Sequence, residues 1–166
     1  MRTALLACSA VICCCAVLAW NPGAAHAKNA GLDRAERKVV RLVNRIRARH
    51  GLRRLKASRT LARAASDHTG DMLRAGVLSH SSSDGTPMPS RVRRYTDADW
   101  VGENVAAVPR RRGSAARRVV SMWMNSPGHR AVLLSASGRR IGVGRARGTL
   151  GNMRGAIFTA DLASRH

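Results

Sequence analysis

The chain has 166 residues and carries 30 Lys and Arg against 9 Asp and Glu, a formal net charge of +21. Arg supplies 27 of those cations and Lys only 3 (Lys28, Lys38 and Lys56). Its length suits one domain. The chain opens on Met1-Arg2 and an apolar run from Ala4 to Trp20 in which Ser9 is the only polar residue. Pro22-Gly23 breaks the run, and Ala25-His26-Ala27 places small residues at the −3 and −1 positions of a cleavage site. A basic start, an apolar centre and an A-x-A exit describe a secretory signal peptide over residues 1–27. The run is shorter than the roughly 20 residues of a membrane span, so the segment is expected to be removed, or at most to act as a weak anchor. Cys8, after Leu5-Leu6-Ala7, has almost no apolar segment before it and makes a poor lipoprotein site.

Cleavage after Ala27 leaves 139 residues with a net charge of +20, of which 54 are apolar. That content suits a globular chain, and the length buries about two-thirds of its surface. All four cysteines (Cys8, Cys13, Cys14 and Cys15) leave with the signal. The mature chain therefore has no disulfide, no thiolate nucleophile and no cysteine metal site, and its fold rests on its core alone.

Residues 28–32 read as a disordered lead and 33–164 as a single domain. Asp33 with Glu36 three residues on is a capping-box start with an acidic cap. The helix that follows sets Val39, Leu42, Val43 and Ile46 on one stripe, and Gly51 stops it. A second helix runs from about Arg59 to Ala75, with Leu61, Ala65, His68 and Met72 on one side and Gly76 at its end. His68, on that apolar stripe, reads as a hydrogen-bonded core histidine. His80 to Pro89 is a turn-forming loop, followed by a short helix around Ser90–Tyr95. Val101 to Val108 reads as a strand. Ser114 caps a helix reaching about Asn125, with Ala115, Val119, Met122 and Trp123 facing inward. Ser126-Pro127 starts a second short helix, with Ser as N-cap. Ile141–Ala146 and Ala156–Thr159 are strands of a hairpin. Helices first, then strands interleaved with helices, make an α+β domain.

Three ionisable residues lie in turn or cap contexts: His80, Glu103 in Gly102-Glu103-Asn104, and His129 in Ser126-Pro127-Gly128-His129-Arg130. Glutamate occurs only twice, and no acid falls between Asn104 and Ala160. His129 stands at the third helical position, where N–H dipoles and the cationic background favour the neutral imidazole, the metal-binding form. Two His and a nearby Glu have the composition of a hydrated Zn²⁺ site, or of an acid/base pair around a polar ligand, though their separations match no local metal motif. The same residues also suit loop histidines satisfied by backbone and a carboxylate that ties loops together. Asp84-Gly85 reads as a turn that positions His80. No phosphate-cradling Gly-rich loop and no G-x-S-x-G nucleophile motif is present.

Several pieces in order carry a resemblance. They are Leu42-Val43-Asn44 with Arg47; Ala65-Ser66-Asp67-His68; His80 with Asp84-Gly85; and Gly102-Glu103-Asn104-Val105-Ala106. Then follow Trp123-Met124-Asn125-Ser126-Pro127-Gly128-His129-Arg130, Ile141-Gly142-Val143-Gly144 and Phe158-Thr159-Ala160-Asp161-Leu162. From Val39 to Leu162 the chain resembles the CAP superfamily (cysteine-rich secretory proteins, antigen 5, pathogenesis-related 1) in its short bacterial SCP-domain form. The resemblance implies a three-layer α-β-α sandwich around a mainly antiparallel sheet, and an extracellular location. It also implies a cleft of two His and two acids that in some relatives holds a divalent cation. His80, Glu103 and His129 match three of those positions. At the fourth, where longer relatives have glutamate, Asn125 and Ser126 stand, and Asn125 can hydrogen-bond but cannot be a base. Ala160 replaces a glutamine found in similar bacterial sequences.

The expectation is an exported monomer with a cleft lined by His80, Glu103, His129, Asn125 and Asp84. It would take a divalent cation (Zn or similar, on His80 and His129), a small polar ligand or a lipid. One alternative is a metal-dependent hydrolase with Glu103 as the base. The other is a cationic protein held on anionic envelope polymers or a membrane surface, its cleft vestigial. Nucleic acid is disfavoured, because Tyr95, Trp100, Trp123 and Phe158 are the only aromatics after the signal.

Overall fold

A computed structural model describes residues 32–165; the predicted signal peptide and all but the last residue of the predicted lead lie outside them. Helix α1 (Arg34–Arg49) begins with the expected reciprocal cap: Asp33 accepts from the Glu36 N–H at 2.8 Å, and Glu36 accepts from the Asp33 N–H at 2.5 Å. Val39, Val40 and Val43 are buried on its inner face, with Leu42 and Ile46 packed against them. One cation joins that face. Arg47, one helical repeat beyond Val43, is fully buried and donates to the carbonyls of Arg53, Leu133, Ser135 and Gly138 at 2.7–3.4 Å. It ties the end of α1 to the segment that precedes the sheet's central strands.

A two-residue strand β1 (Lys56–Ala57), too short for a sequence pattern, leads into α2 (Arg59–Ala75). Ser58 caps α2, and Gly76 ends it in the left-handed conformation at φ 69°. Leu61, Ala65, His68 and Met72 are all buried. The turn region leads to α3 (Met88–Arg93), then β2 (Val101–Pro109), α4 (Ala115–Asn125) and α5 (Pro127–Leu133). The hairpin β3 (Arg140–Leu150) and β4 (Met153–Ala163) closes the domain, its strands longer than the apolar runs alone indicated.

The sheet order is β1-β3-β4-β2, with β1 parallel to β3 and the other pairs antiparallel. Helix α2, with α3, covers one face; α1, α4 and α5 cover the other, which gives the three-layer α-β-α sandwich. The α2 face depends on two glycines. A Cβ at Gly142 would lie 2.0 Å from the Leu61 carbonyl carbon, and one at Gly144 would lie 2.4 Å from that of Ala65. Only glycine lets α2 pack this close. Directly opposite residues share a face, so Asp161 beside Gly142 and Glu103 beside Asp161 also point toward α2.

On the opposite face, α4 buries Ala116, Val119, Val120 and Trp123. Of the expected inward positions, Ala115 packs partly buried against the core, while Met122 is turned outward and is 45% exposed. Apolar residues surround most of α4, so periodicity alone left its rotation open; docking against α1 and β2 selects Ala116 and Val120 instead. The Trp123 indole donates to the Val105 carbonyl at 3.2 Å, anchoring α4 to β2.

Candidate functional site

Strand β2 forms an edge of the sheet, and the site is built along it. Glu103 projects toward α2 with its side chain fully buried. The 76–87 segment comes back across this edge and sets His80 Nδ1 2.8 Å from Glu103 Oε1. The other carboxylate oxygen, Oε2, accepts from Arg91 Nη2 of α3. Helix α5 comes to the same edge, where Asn104, pointing to the opposite side of β2, donates to the His129 carbonyl at 3.0 Å. The His80 and His129 rings thus meet with centroids 6.3 Å apart and planes tilted by 37°.

Each imidazole is held through Nδ1, His80 by Glu103 and His129 by Ser126 Oγ at 2.9 Å. The expected N-cap role of Ser126 changes accordingly. It occupies the cap position, but its hydroxyl bonds the ring of His129 rather than a helix N–H. Among the described residues neither Nε2 has a hydrogen-bond partner. With Nδ1–H donating, each Nε2 keeps an unshared lone pair. The Glu103 hydrogen bond raises the His80 pKa above its ordinary value, so protons compete more strongly for that lone pair. Partial burial, with the neighbouring His80, lowers that of His129, which stays neutral.

Beneath His80 lies a buried ionic layer that the sequence pattern did not disclose. Arg91, with 7% of its side chain exposed, stands between Glu103 and Asp161, 3.6 Å from the latter. Asp161 is fully buried, and neither of its oxygens has a hydrogen-bond partner. Desolvation, reinforced by the Glu103 charge, pushes its pKa well above the ordinary carboxyl value, so Arg91 and Glu103 can balance as +1 and −1 over a neutral acid. His68 closes the layer. Its Nε2 is 2.9 Å from the Ser79 carbonyl and 3.7 Å from Glu103, and burial lowers its pKa, keeping it neutral. Its placement as a hydrogen-bonded core histidine is as the helical stripe predicted. Arg91 had no signal, standing in a six-residue helix among other arginines. Asp161 had one: a lone acid inside an apolar strand.

The remaining expected cleft residues stand apart. Asp84 shapes its own turn, accepting from the Thr86 N–H at 2.8 Å next to Gly85 at φ 82°. Asn125 is the exposed last residue of α4, with no hydrogen bond to His80, Glu103 or His129 among the described residues. No three His, Cys, Asp or Glu side chains among the described residues are arranged to hold a metal together. The donor set open to a ligand is the pair of imidazoles. With N–metal bonds of about 2.0–2.1 Å, two rings sharing one tetrahedral ion stand with centroids roughly 5 Å apart. The observed 6.3 Å is wider than that, so a shared tetrahedral ion would draw the two rings together by roughly 1 Å.

Among the described residues no helix is long and apolar enough to cross a membrane. Two Bacillus subtilis (strain 168) proteins are 34% identical to the chain, one an uncharacterized membrane protein, YlbC, over 111 residues, the other the uncharacterized YkwD over 110. Each match takes in 66% of this chain but only 31% and 41% of the relatives, so the chain spans well under half their length. An extracellular SCP-domain protein from Bacillus anthracis str. Ames is similar in structure, with a TM-score of 0.66 and 27% identity over 79% of this chain and 40% of its own. An outer surface protein of Borrelia burgdorferi shares the fold at a TM-score of 0.68 and 23% identity, over 81% of this chain and 97% of that one. Residues 40–161, which contain all of His80, Arg91, Glu103, His129 and Asp161, match the model of the CAP, or cysteine-rich secretory protein, family, and the chain belongs to it.

Proposed function

We propose that this is an exported CAP-domain binding protein whose cleft presents His80 and His129 to a divalent cation, with the ion's remaining positions open to a small polar ligand. The observation that carries this reading is the closeness of two rings that are each held from behind. Both Nδ1 atoms are held by the protein, both Nε2 atoms are free, and the centroids are 6.3 Å apart. A carboxylate behind a ligating histidine fixes its tautomer and raises its basicity, which is the place Glu103 occupies behind His80. Export is supported by the signal-like residues 1–27 and by relatives described as extracellular or outer-surface proteins.

Glu103 acts in this reading as a positioning residue. One of its oxygens is engaged by His80 and the other by Arg91, so its carboxylate orients the ring from behind. Titration of Zn²⁺ into the untagged mature chain by calorimetry tests the reading. One ion per chain is expected, with affinity lost in His80→Ala and His129→Ala and reduced about 10–100-fold in Glu103→Gln. Affinity should also weaken as the pH is lowered through the raised pKa of His80, because a proton then occupies the ligand atom. No binding by the wild type, or undiminished binding by the double histidine variant, would overturn it.

A further inference from the structure

A second concavity lies at the other end of β2. It is a groove of about 1180 Å³ bounded by the first turn of α1, the 110–114 segment, the start of α4 and the far end of the β3–β4 hairpin. It begins at Val108, five residues along β2 from Glu103, or about 16 Å at the rise of an extended strand. Eight cationic side chains line it against one carboxylate, Asp33. That carboxylate is already taken, capping α1 and accepting from Arg145 Nε at 3.0 Å. Arg118 is tied to the wall, donating to the Arg112 and Pro109 carbonyls at 3.0 and 3.2 Å, and its Nε is buried without a partner.

The other six, Arg34, Lys38, Arg110, Arg111, Arg147 and Arg154, have no ion pair among the described residues. Nor can the preceding segment neutralise them, because residues 1–32 contain no Asp or Glu. Like charges gathered in one groove repel one another, and a polyanion is the ligand that relieves this. Arginine's planar fork adds directional recognition of phosphate oxygens.

We propose that this groove binds a linear, multiply charged phosphate polymer outside the cell, independently of the histidine cleft. The walls are concave, so a flexible chain can run between the cations where a flat layer of headgroups reaches only the rim. Among the described residues no aromatic side chain lines the groove to stack bases, which sets it apart from a single-stranded nucleic-acid channel.

Long-chain inorganic polyphosphate is the probe, with affinity measured across a salt series. Six contacts predict a slope of log K against log salt near −4, at about −0.7 per phosphate. Arg110→Ala with Arg147→Ala should reduce the slope by about 1.4, and so the affinity about 25-fold at 0.1 M salt. The control is Arg53→Ala with Arg54→Ala, two exposed cations just before β1, which pairs with the opposite end of β3. It removes the same charge and should leave most of the affinity intact. Equal losses in both pairs would reduce the effect to net charge and overturn the site. Retention on mixed phosphatidylglycerol and phosphatidylcholine vesicles that polyphosphate fails to displace would overturn it in favour of a membrane surface.

Discussion

Replacing Arg91 with Leu should be the most damaging single change near the cleft that leaves both histidines in place. Arg91 is 6% exposed and its guanidinium contacts two buried carboxyl groups, Glu103 and Asp161. Leucine roughly preserves the apolar contacts of the stem but strands Glu103 with only His80 as a polar partner. Breaking a buried ion pair by removing one member costs about 3–5 kcal/mol, because the surviving charge stays desolvated. At about 2.1 cal/mol/K of unfolding entropy per residue, a domain of roughly 130 residues should lose about 10–18 °C in Tm. Thermal unfolding followed by far-ultraviolet circular dichroism at pH 7 reads this directly. Adding Glu103→Gln to Arg91→Leu removes the stranded charge, so the double variant should be more stable than the sum of the two single losses by about 1–3 kcal/mol. A loss below about 1 kcal/mol for Arg91→Leu, or additive losses in the double variant, would refute the view that a buried charge balance supports the site.

Asp161→Asn should make stability less dependent on pH. The folded state keeps a proton on Asp161 that the unfolded chain releases near pH 4, so the contribution of Asp161 to stability is fully present at low pH and is lost as pH rises through the raised folded pKa. Melting curves across pH 4–8 should show that decline diminished in the variant and the variant more stable than wild type at pH 8; parallel curves would contradict the assignment. Gly142→Ala should cost about 1–3 kcal/mol or more in urea unfolding, because its Cβ meets the α2 backbone at 2.0 Å. Gly70→Ala, inside α2 with only the end of Arg74 near it, should instead gain about 0.5–1 kcal/mol. Arg47→Met should lower stability by about 3 kcal/mol or more, because buried carbonyls of Arg53, Leu133, Ser135 and Gly138 lose their donor.

What could be read from the chain alone was whatever is decided within one or two turns. The Asp33–Glu36 cap, the α2 stripe with His68 inside it and the helix stop at Gly76 are local, and each reappears at the expected residue. The rotation of α4 was not local. With Ala115, Ala116, Val119, Val120, Met122 and Trp123 all apolar, only the neighbours it docks against choose which are buried. Strand β1 has two residues and exists because β3 offers it an edge. The ionic layer under His80 is the furthest from legible, since Glu103 and Asp161 become neighbours through the β2–β4 register, and Arg91 arrives on a separate helix. Arg47 occupied a predictable position on the α1 stripe, but its charge argued for solvent; only the ring of carbonyls around it accounts for its burial.

The central claim concerns two nitrogen atoms, and long-range ¹H–¹⁵N correlation of the imidazoles observes them directly. On titration with Zn²⁺, the Nε2 resonances of His80 and His129 should shift together, reaching saturation at the same ion concentration, while those of buried His68 stay in place. A shift in only one of the two rings, or none in either, would contradict the account.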